Sequence, residues 1–437
     1  MERTLTLDVT KKIDQQVTIE GWVLTRRDHG KLIFLDLWDR LGKLQVVIHS
    51  ETKNIGPVDK ISPQSAIRVI GQVNKRDEKN VNSHLPTGEV EVFASQVEIL
   101  GQAASLPFDI ESDLQIETFL DHAPITLRSE KSRALFKVQS AIAQSFVEFF
   151  TTEGFTQINT PKLVASSTEG GTDLFPVEYF KGQKAFLAQS PQLYKQIMVG
   201  AFERVFEIAP VFRNEPHATA RHINEYVSLD MEMAFIKDHY DIITITNKFF
   251  RFLNTKLEKF TYELNVFEVA PLKIPESIPT MTLLEAQEIL KKEFGRDIIG
   301  EPDLEPGDEK MLSEHALKTH DSDLLWVTEY PTKKKPFYAM PVPENPEVTR
   351  YGDLILRGAE VISGGQRINN YDQLVQSIKS KGLNPEHFDY YLDAFKYGMP
   401  PEGGFGMGLE RLTSKILKIS NIKLATLFPR DMHRLTP

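Results

Sequence analysis

Five short apolar segments within residues 1–105, followed by long amphipathic helices alternating with charge-interrupted strand pairs, predict an α+β protein of two unlike units. The first is a small five-stranded barrel of the OB-fold kind. The second carries a largely antiparallel sheet flanked by helices. At 437 residues the chain exceeds one ordinary core, and 41% hydrophobic with 26% charged residues is a globular composition. No apolar run approaches the length of a membrane span, and MERTLTLDVTKK has neither signal- nor transit-peptide character. The absence of cysteine excludes disulfides and thiolate metal sites and fits a cytoplasmic setting. A net charge of −10 excludes a general basic field, so any nucleic-acid contact must come from local patches.

In chain order, the barrel strands are VTIEGWVLTRR, KLIFLDLWDR, LQVVIHS, AIRVIGQV and EVEVFASQVEIL, with glycine, asparagine or lysine at the breaks. Between the first two, Thr25–Lys31 holds three cations, and Phe34 begins the next strand. An exposed aromatic beside arginine is an arrangement that stacks an RNA base; the plain alternative is a core Phe34. Residues 106–130 lose periodicity and read as a hinge. Leu135, Val138, Ile142, Phe146, Phe149 and Phe150 then fall at helical spacing. The following FTQINTPKLV reads as an edge strand with Pro161 at its middle, so this region is either a subunit interface or a core helix with its strand.

KAFLAQSPQLYKQIMVG passes from strand to helix at Ser190-Pro191, placing Gln192 and Lys195 in the first turns. RVFEIAPVFR and EYVSLDMEMAFI form an antiparallel pair around a basic loop with His217, Arg221 and His222. Helices fill 238–262 and 282–294, and residues 264–345 read as an insertion. In YGDLILRGAEVISGGQRI, strand alternation with a bulge brings Asp353, Leu356 and Glu360 near one surface, so two carboxylates and Ser363 can converge. Oxygen ligands of this kind suit Mg²⁺ shared with substrate phosphates. The glycine-rich PEGGFGMGLERL ends on a helix start, where small residues admit a flat ring or phosphate and Arg411 supplies a cation.

Single charges are usually solvated surface. Here Arg213, Asp230, Glu232, Glu360 and Arg367 interrupt apolar strands or flank glycine pairs, and buried charge is costly unless paired or liganded. Arg213, Arg221 and Arg411 suit a triphosphate. A zinc site at His217 and His222 lacks a third ligand nearby, and GFGMG lacks the βαβ context of a dinucleotide fingerprint.

With these residues in place, the chain resembles the class II aminoacyl-tRNA synthetases, and within them the archaeal-type aspartyl-tRNA synthetases, over nearly its whole length. GFTQINTPKL resembles motif 1, VFRNEPHATARHINEY motif 2 and GGFGMGLERL motif 3; QSPQLYKQ and SGGQRI resemble the aspartate signature, and FPRDMHRLTP the family's C-terminus. The resemblance implies an anticodon-binding OB-fold over 1–105 and a class II synthetase catalytic domain over 131–437. It implies ATP and Mg²⁺, L-aspartate and tRNA as partners, and a homodimer with Pro161 against the partner.

By the same resemblance, Arg213 and Arg411 are catalytic. Glu169, Gln192, Lys195, Arg213, Asp230, Ser363 and Arg367 would bind aspartate, with Lys195 and Arg367 facing its side-chain carboxylate. Glu215, Arg221, His222, Ile223, Tyr226, Glu360, Gly408, Leu409 and Glu410 join Arg213 and Arg411 around ATP; Tyr226 and Arg411 would sandwich adenine. Asp353, Glu360 and Ser363 would hold magnesium. Phe34, Arg27 and Gln45 would read the anticodon. His29 and Pro86 resemble non-discriminating members that charge both tRNA-Asp and tRNA-Asn, which implies an amidotransferase acting on Asp-tRNA-Asn.

The chain departs from the pattern at Pro216, at Glu402 where histidine is common, and at Asn369-Asn370. Four rivals remain. They are an enzyme that charges tRNA-Asp alone, an asparaginyl-tRNA synthetase (which typically lacks the SPQLYKQ lysine and the FPRD ending), a stand-alone asparagine synthetase paralogue (which would lack the anticodon barrel) and a non-catalytic relative (which would have lost the motif arginines).

Overall fold

The computed structural model describes residues 2–49, 52, 55–83, 85–165, 174–216 and 219–437. They form two compact units, Met1–Asp109 and Ile110–Pro437. In the first, β1 (Gln16–Asp28), β2 (Leu32–Trp38), β3 (Lys43–His49), β4 (Ala66–Lys75) and β5 (Val90–Gly101) close a barrel in the order β1-β2-β3-β5-β4. This is the expected five-stranded architecture. Inward positions such as Val17, Ile19, Leu35, Leu37, Val46 and Val69 form its core, and alternate residues face outward. The barrel bends sharply where Gly21 and Gly71 approach Trp38 and Phe93: a Cβ there would lie 2.6 and 2.4 Å from their carbonyl oxygens.

The second unit starts within the aperiodic stretch, which is not a plain hinge. It contains two short helices, α1 (Ile116–Asp121) and α2 (Ala123–Thr126), anchored by buried Leu120, Ala123 and Thr126. Too few residues repeat for periodicity to reveal them. Next come α3 (Glu130–Thr152), β6 (Thr156–Gln157), β7 (Leu163–Val164), β8 (Pro176–Glu178), β9 (Lys184–Leu187) and α4 (Gln192–Phe202). Pro161 lies between β6 and β7, which belong to different sheets, so it interrupts no strand. The hairpin β10 (Arg204–Phe212) and β11 (Glu225–Ala234) leads into α5 (His239–Leu257) and α6 (Thr261–Val266).

The presumed insertion is woven into the fold. It supplies β12 (Thr280–Thr282), α7 (Leu283–Phe294), α8 (Pro306–His320), β13 (Leu324–Thr328), β14 (Pro341–Val342) and, running just past the segment, β15 (Asn345–Thr349). The chain ends with β16 (Tyr351–Leu356), β17 (Ala359–Gln366), α9 (Tyr371–Ser380), α10 (Asp389–Lys396), β18 (Glu402–Gly408) and α11 (Leu409–Ile416).

Eight strands make the main sheet, in the order β12-β13-β16-β17-β18-β11-β10-β6, antiparallel except at its two ends. On one face α3 and α5 bury Phe146, Phe149, Phe150, Phe249 and Phe250 against Leu229, Met231, Phe405 and Met407. All six apolar residues expected on α3 are buried there. Each such side chain removed from water contributes roughly 1.5–3 kcal/mol. Leu356 points into this core with Leu354, away from Asp353 and Glu360: the expected bulge before Leu356 is absent from β16, because the extra residue, Val361, lies on β17 and leaves the alternation of β16 unbroken. On the opposite face β11, β17 and β18 carry polar side chains, while Leu325, Val327 and Ile355 pack with residues of α7 and α8. Among the described residues no helix is long and apolar enough to cross a membrane.

Candidate active site

On β11, period-two alternation sends Leu229, Met231 and Met233 into the core and Ser228, Asp230 and Glu232 to the other face. Neighbouring β18 sends Phe405 and Met407 inward, leaving Gly404, Gly406 and Gly408 on the polar face. A Cβ on Gly404 would stand 2.3 Å from Glu232 Oε2, so the acidic side chains occupy the space that glycine leaves. The resulting cavity of about 270 Å³ is lined by residues from β11, β17, β18, the loop after β10, and the segment before β14.

At one end lie the arginines. Arg213 closes the β10–β11 hairpin through its N–H to the Asn224 carbonyl (2.9 Å), and its guanidinium stands 5.6 Å from the Tyr226 ring and 3.9 Å from Glu215. His222 Nε2 is 3.5 Å from Glu215. Arg221 donates to Glu309 and to the Gly358 carbonyl, both at 3.0 Å. Above Gly408, a Cβ would be 3.7 Å from Tyr226 and 3.8 Å from Arg411, so these two flank a bare patch of backbone. Arg411 donates to the Glu360 carbonyl (3.3 Å), and Ile223 and Glu410 also line the cavity. Burial pushes Glu410 up to about 7; its carboxylate accepts from Val227 N–H. Leu409 is packed in the core.

The carboxylates lie beside Arg411. Ser363 sits directly across from Asp353 and donates to it at 2.6 Å. Lys335 Nζ reaches the second Asp353 oxygen at 2.8 Å. Glu360 and Ser363 line the cavity, and burial together with the Asp353 charge pushes Glu360 up to about 7. Two mutually repelling oxygen ligands beside a hydroxyl fit a hard divalent cation that completes its shell from phosphate. Among the described residues no group of three or more His, Asp or Glu side chains forms a metal cluster by itself.

Behind this wall is a fully buried charge cluster. Lys195 Nζ contacts Asp230 (2.9 Å), Glu232 (3.2 Å) and the Phe405 carbonyl (2.8 Å). Arg367 Nε and Nη2 donate to Glu232 (2.7 Å) and the Gly404 carbonyl (2.8 Å). Tyr338 and Tyr351, both cavity-lining, each stand 5.3 Å from the guanidinium carbon. Arg367 Nη1 is buried without a hydrogen-bond partner among the described residues. Lys195 and Arg367 are therefore behind the cavity wall, while Gln192 and Asp230 are in it. Glu169 and His217 lie outside the described residues.

On the barrel, Phe34 is half-buried on the outer face rather than in the core, opposite Arg27 on β1. His29 meets it edge-on at 5.6 Å. Arg27 donates to Asp36 (3.1 Å) and Gln45 (3.4 Å), and Gln45 to Glu91 (2.8 Å). Pro86 is exposed. Sequence reasoning missed Ser190, Ser228, Lys335, Tyr338 and Tyr351 in the cavity wall. Ser228 shares the alternation of Asp230 and was detectable on that ground. Lys335 and Tyr338 sit in the segment taken for an insertion.

Residues 115–432 match the model of class II tRNA synthetases (D, K and N), and residues 17–100 match an OB-fold nucleic acid binding domain. The chain is 44% identical to a Thermus thermophilus aspartate–tRNA(Asp/Asn) ligase, covering all of both chains. It is 42% identical to a Deinococcus radiodurans protein of the same description, covering 100% of this chain and 99% of that one. Among solved structures, the asparaginyl-tRNA synthetase from Pyrococcus horikoshii complexed with asparaginyl-adenylate has a TM-score of 0.91 at 29% identity, with full coverage of both. Aspartyl-tRNA synthetase from Entamoeba histolytica has 0.89 at 30% identity, covering all of this chain and 93% of that one. On its sequence, its barrel and the face of its antiparallel sheet, this chain belongs to the class II tRNA synthetases of the D, K and N group.

Proposed function

We propose that the protein activates L-aspartate with ATP to aspartyl-adenylate and transfers the aspartyl group to tRNA-Asp and tRNA-Asn. The observation that carries the choice of amino acid is the buried pair Lys195 and Arg367, with the unpartnered Arg367 Nη1 offering a donor to a side-chain carboxylate. Aspartate and asparagine have nearly the same shape, so charge must separate them. The amide would turn N–H groups towards two cations and leave a donor unpaired, at a cost of about 3–5 kcal/mol.

The aspartate α-carboxylate is already a nucleophile and needs no general base. It attacks the α-phosphorus, the bond to the bridging oxygen breaks, and pyrophosphate leaves. Arg213 steadies charge on phosphorus, with Tyr226 and Arg411 holding adenine over Gly408 and Arg221 and His222 on the outer phosphates. Asp230 and Gln192 both line the cavity, and Asp230 would receive the substrate ammonium. Glu360 and Ser363, with Asp353 behind them, would hold Mg²⁺, which when bound neutralises phosphate charge. In the second step the terminal ribose hydroxyl of tRNA attacks the acyl carbonyl and AMP departs.

Phe34, Arg27 and Gln45 form the anticodon face. His29 and Pro86, together with the Asp/Asn description of the relatives, support relaxed tRNA choice and hence an amidotransferase acting on Asp-tRNA-Asn. A homodimer is supported by exposed Pro161, Leu163 and Phe202 around the sheet's short edge strand β6. ATP–pyrophosphate exchange with aspartate and asparagine, then charging of tRNA-Asp and tRNA-Asn transcripts, tests this reading. Exchange with aspartate and charging of both transcripts is expected. Preference for asparagine would overturn the first half, and tRNA-Asn charged no better than an unrelated tRNA the second.

A further inference from the structure

The charge cluster behind the cavity contains a third carboxyl, Glu402 at the start of β18. Glu402, Glu232, Arg367, Lys195 and Asp230 are all essentially removed from solvent. If every carboxyl were ionised, three negative charges would face two positive ones in a site with no water to absorb the excess. One neutral carboxyl restores the balance, and uncompensated buried charge is what proteins avoid most strongly.

Geometry says which carboxyl it is. Glu232 receives Arg367 at 2.7 Å and Lys195 at 3.2 Å, and Asp230 receives Lys195 at 2.9 Å. Glu402 forms no ion pair among the described residues. Its Oε1 accepts from Gln196 Nε2 at 2.7 Å. In the same arrangement Gln196 Oε1 accepts from Gln192 Nε2 (3.0 Å) and Tyr391 Oη (3.2 Å). Among the described residues Glu402 Oε2 is buried with no donor, and the side chain it meets is Glu232, itself an acceptor. Only a proton between the two makes that contact attractive.

We propose that Glu402 is held as a neutral acid which donates its proton to Glu232, and that this bond orients Glu232 and through it Arg367 and Lys195; Glu402 is thus a positioning residue for amino-acid specificity. The proposal rests on the reading that Arg367 and Lys195 meet the aspartate side chain. Its electrostatics agree: burial and the Glu232 charge raise the Glu402 carboxyl well above its usual range, whereas Arg367 and Lys195 hold Glu232 low despite burial. The groups facing Glu402 are Glu232 from β11, Gln196 from α4, Tyr391 from α10 and Arg367 after β17, with Lys195 and Asp230 joined to them through Glu232. Because the folded-state value is raised, the neutral form holds below that value and is lost as pH rises through it. Ionisation then adds a negative charge beside the bound carboxylate, so aspartate binding weakens while neutral asparagine is little affected.

The test is aspartate-dependent pyrophosphate exchange from neutral to alkaline pH for wild type, E402Q and E402A. E402Q keeps a donor towards Glu232 and cannot ionise. It is expected to hold the aspartate KM near that of wild type at neutral pH and to lack the part of the alkaline rise that wild type shows. E402A is expected to raise the aspartate KM roughly tenfold, as loss of a hydrogen bond to a charged group does, without moving the ATP KM. An E402Q enzyme as impaired as E402A, or one with the same alkaline rise as wild type, would overturn the proposal. So would an E402A enzyme with unchanged aspartate KM. Should E402A fail to fold, the pH profile of E402Q decides alone. R367Q run in parallel separates the two levels: normal aspartate activation in R367Q removes the underlying reading, while loss there with an unaffected E402A removes only the role of Glu402.

Discussion

Replacing Arg367 with glutamine probes the specificity argument most directly. The wild-type guanidinium has no solvent exposure and makes three hydrogen bonds, two to Glu232 at 2.7 and 3.4 Å and one to the Gly404 carbonyl at 2.8 Å. R367Q keeps much of the stem's packing and removes the charge. Glu232 then retains only Lys195, 3.2 Å away, as a cationic partner. Stripping one member from a buried pair costs about 3–5 kcal/mol, with part recovered here from Lys195. Against the roughly 5–15 kcal/mol by which domains are usually stable, the variant is expected to fold with a lowered melting temperature. In catalysis the same loss acts on the aspartate carboxylate. Converted at about 1.4 kcal/mol per decade, kcat/KM for aspartate should fall by roughly two to four orders of magnitude. Asparagine, which gains nothing from the cation, should be less affected, so the preference between the two narrows. Pyrophosphate exchange at saturating ATP, with each amino acid, measures this, and thermal melting reports folding in parallel. A folded R367Q with kcat/KM for aspartate close to wild type would refute the reasoning.

Two further outcomes follow from other parts of the molecule. Phe34→Ala should raise the tRNA KM in aminoacylation about 5- to 150-fold, the equivalent of about 1–3 kcal/mol of base stacking, and leave pyrophosphate exchange untouched; an unchanged tRNA KM would count against the anticodon face. His239, buried at the start of α5, is pushed down to about 4, chiefly by burial with Arg350 adding to it. A depressed histidine contributes stability that is present above its unshifted 6.5 and is lost as pH falls towards about 4, on the order of 3 kcal/mol. His239→Phe should therefore show a shallower loss of unfolding free energy on acidification over that window than wild type. Parallel acid profiles for the two proteins would argue against it.

What was legible in the chain differs by kind of signal. The barrel was readable because each strand alternates, as in Ile33, Leu35 and Leu37, and because turn residues punctuate the series. The helix α3 was readable from six apolar positions in one stripe, and the arginines of the site from charges set inside apolar strands. The stretch 106–130 was not readable, since helices of four and six residues are too short to express a period. The side on which Leu356 falls was also misjudged, because the extra residue of the bulge sits on β17, at Val361, and not on β16, and one extra residue reverses which side chains share a face only on the strand that carries it.

The sequence by itself determined the two architectures, the order of the family's motifs and the residue types gathered at the site, because local periodicity and side-chain chemistry are carried by neighbouring residues. Only the tertiary structure decided that the 264–345 segment builds one end of the main sheet and brings Lys335 to Asp353. It alone set Lys195 and Arg367 behind the cavity wall and enclosed Glu402 with Glu232. Burial and charge pairing arise between residues far apart in the chain, such as Lys195, Glu232 and Arg367, and no local pattern records those distances.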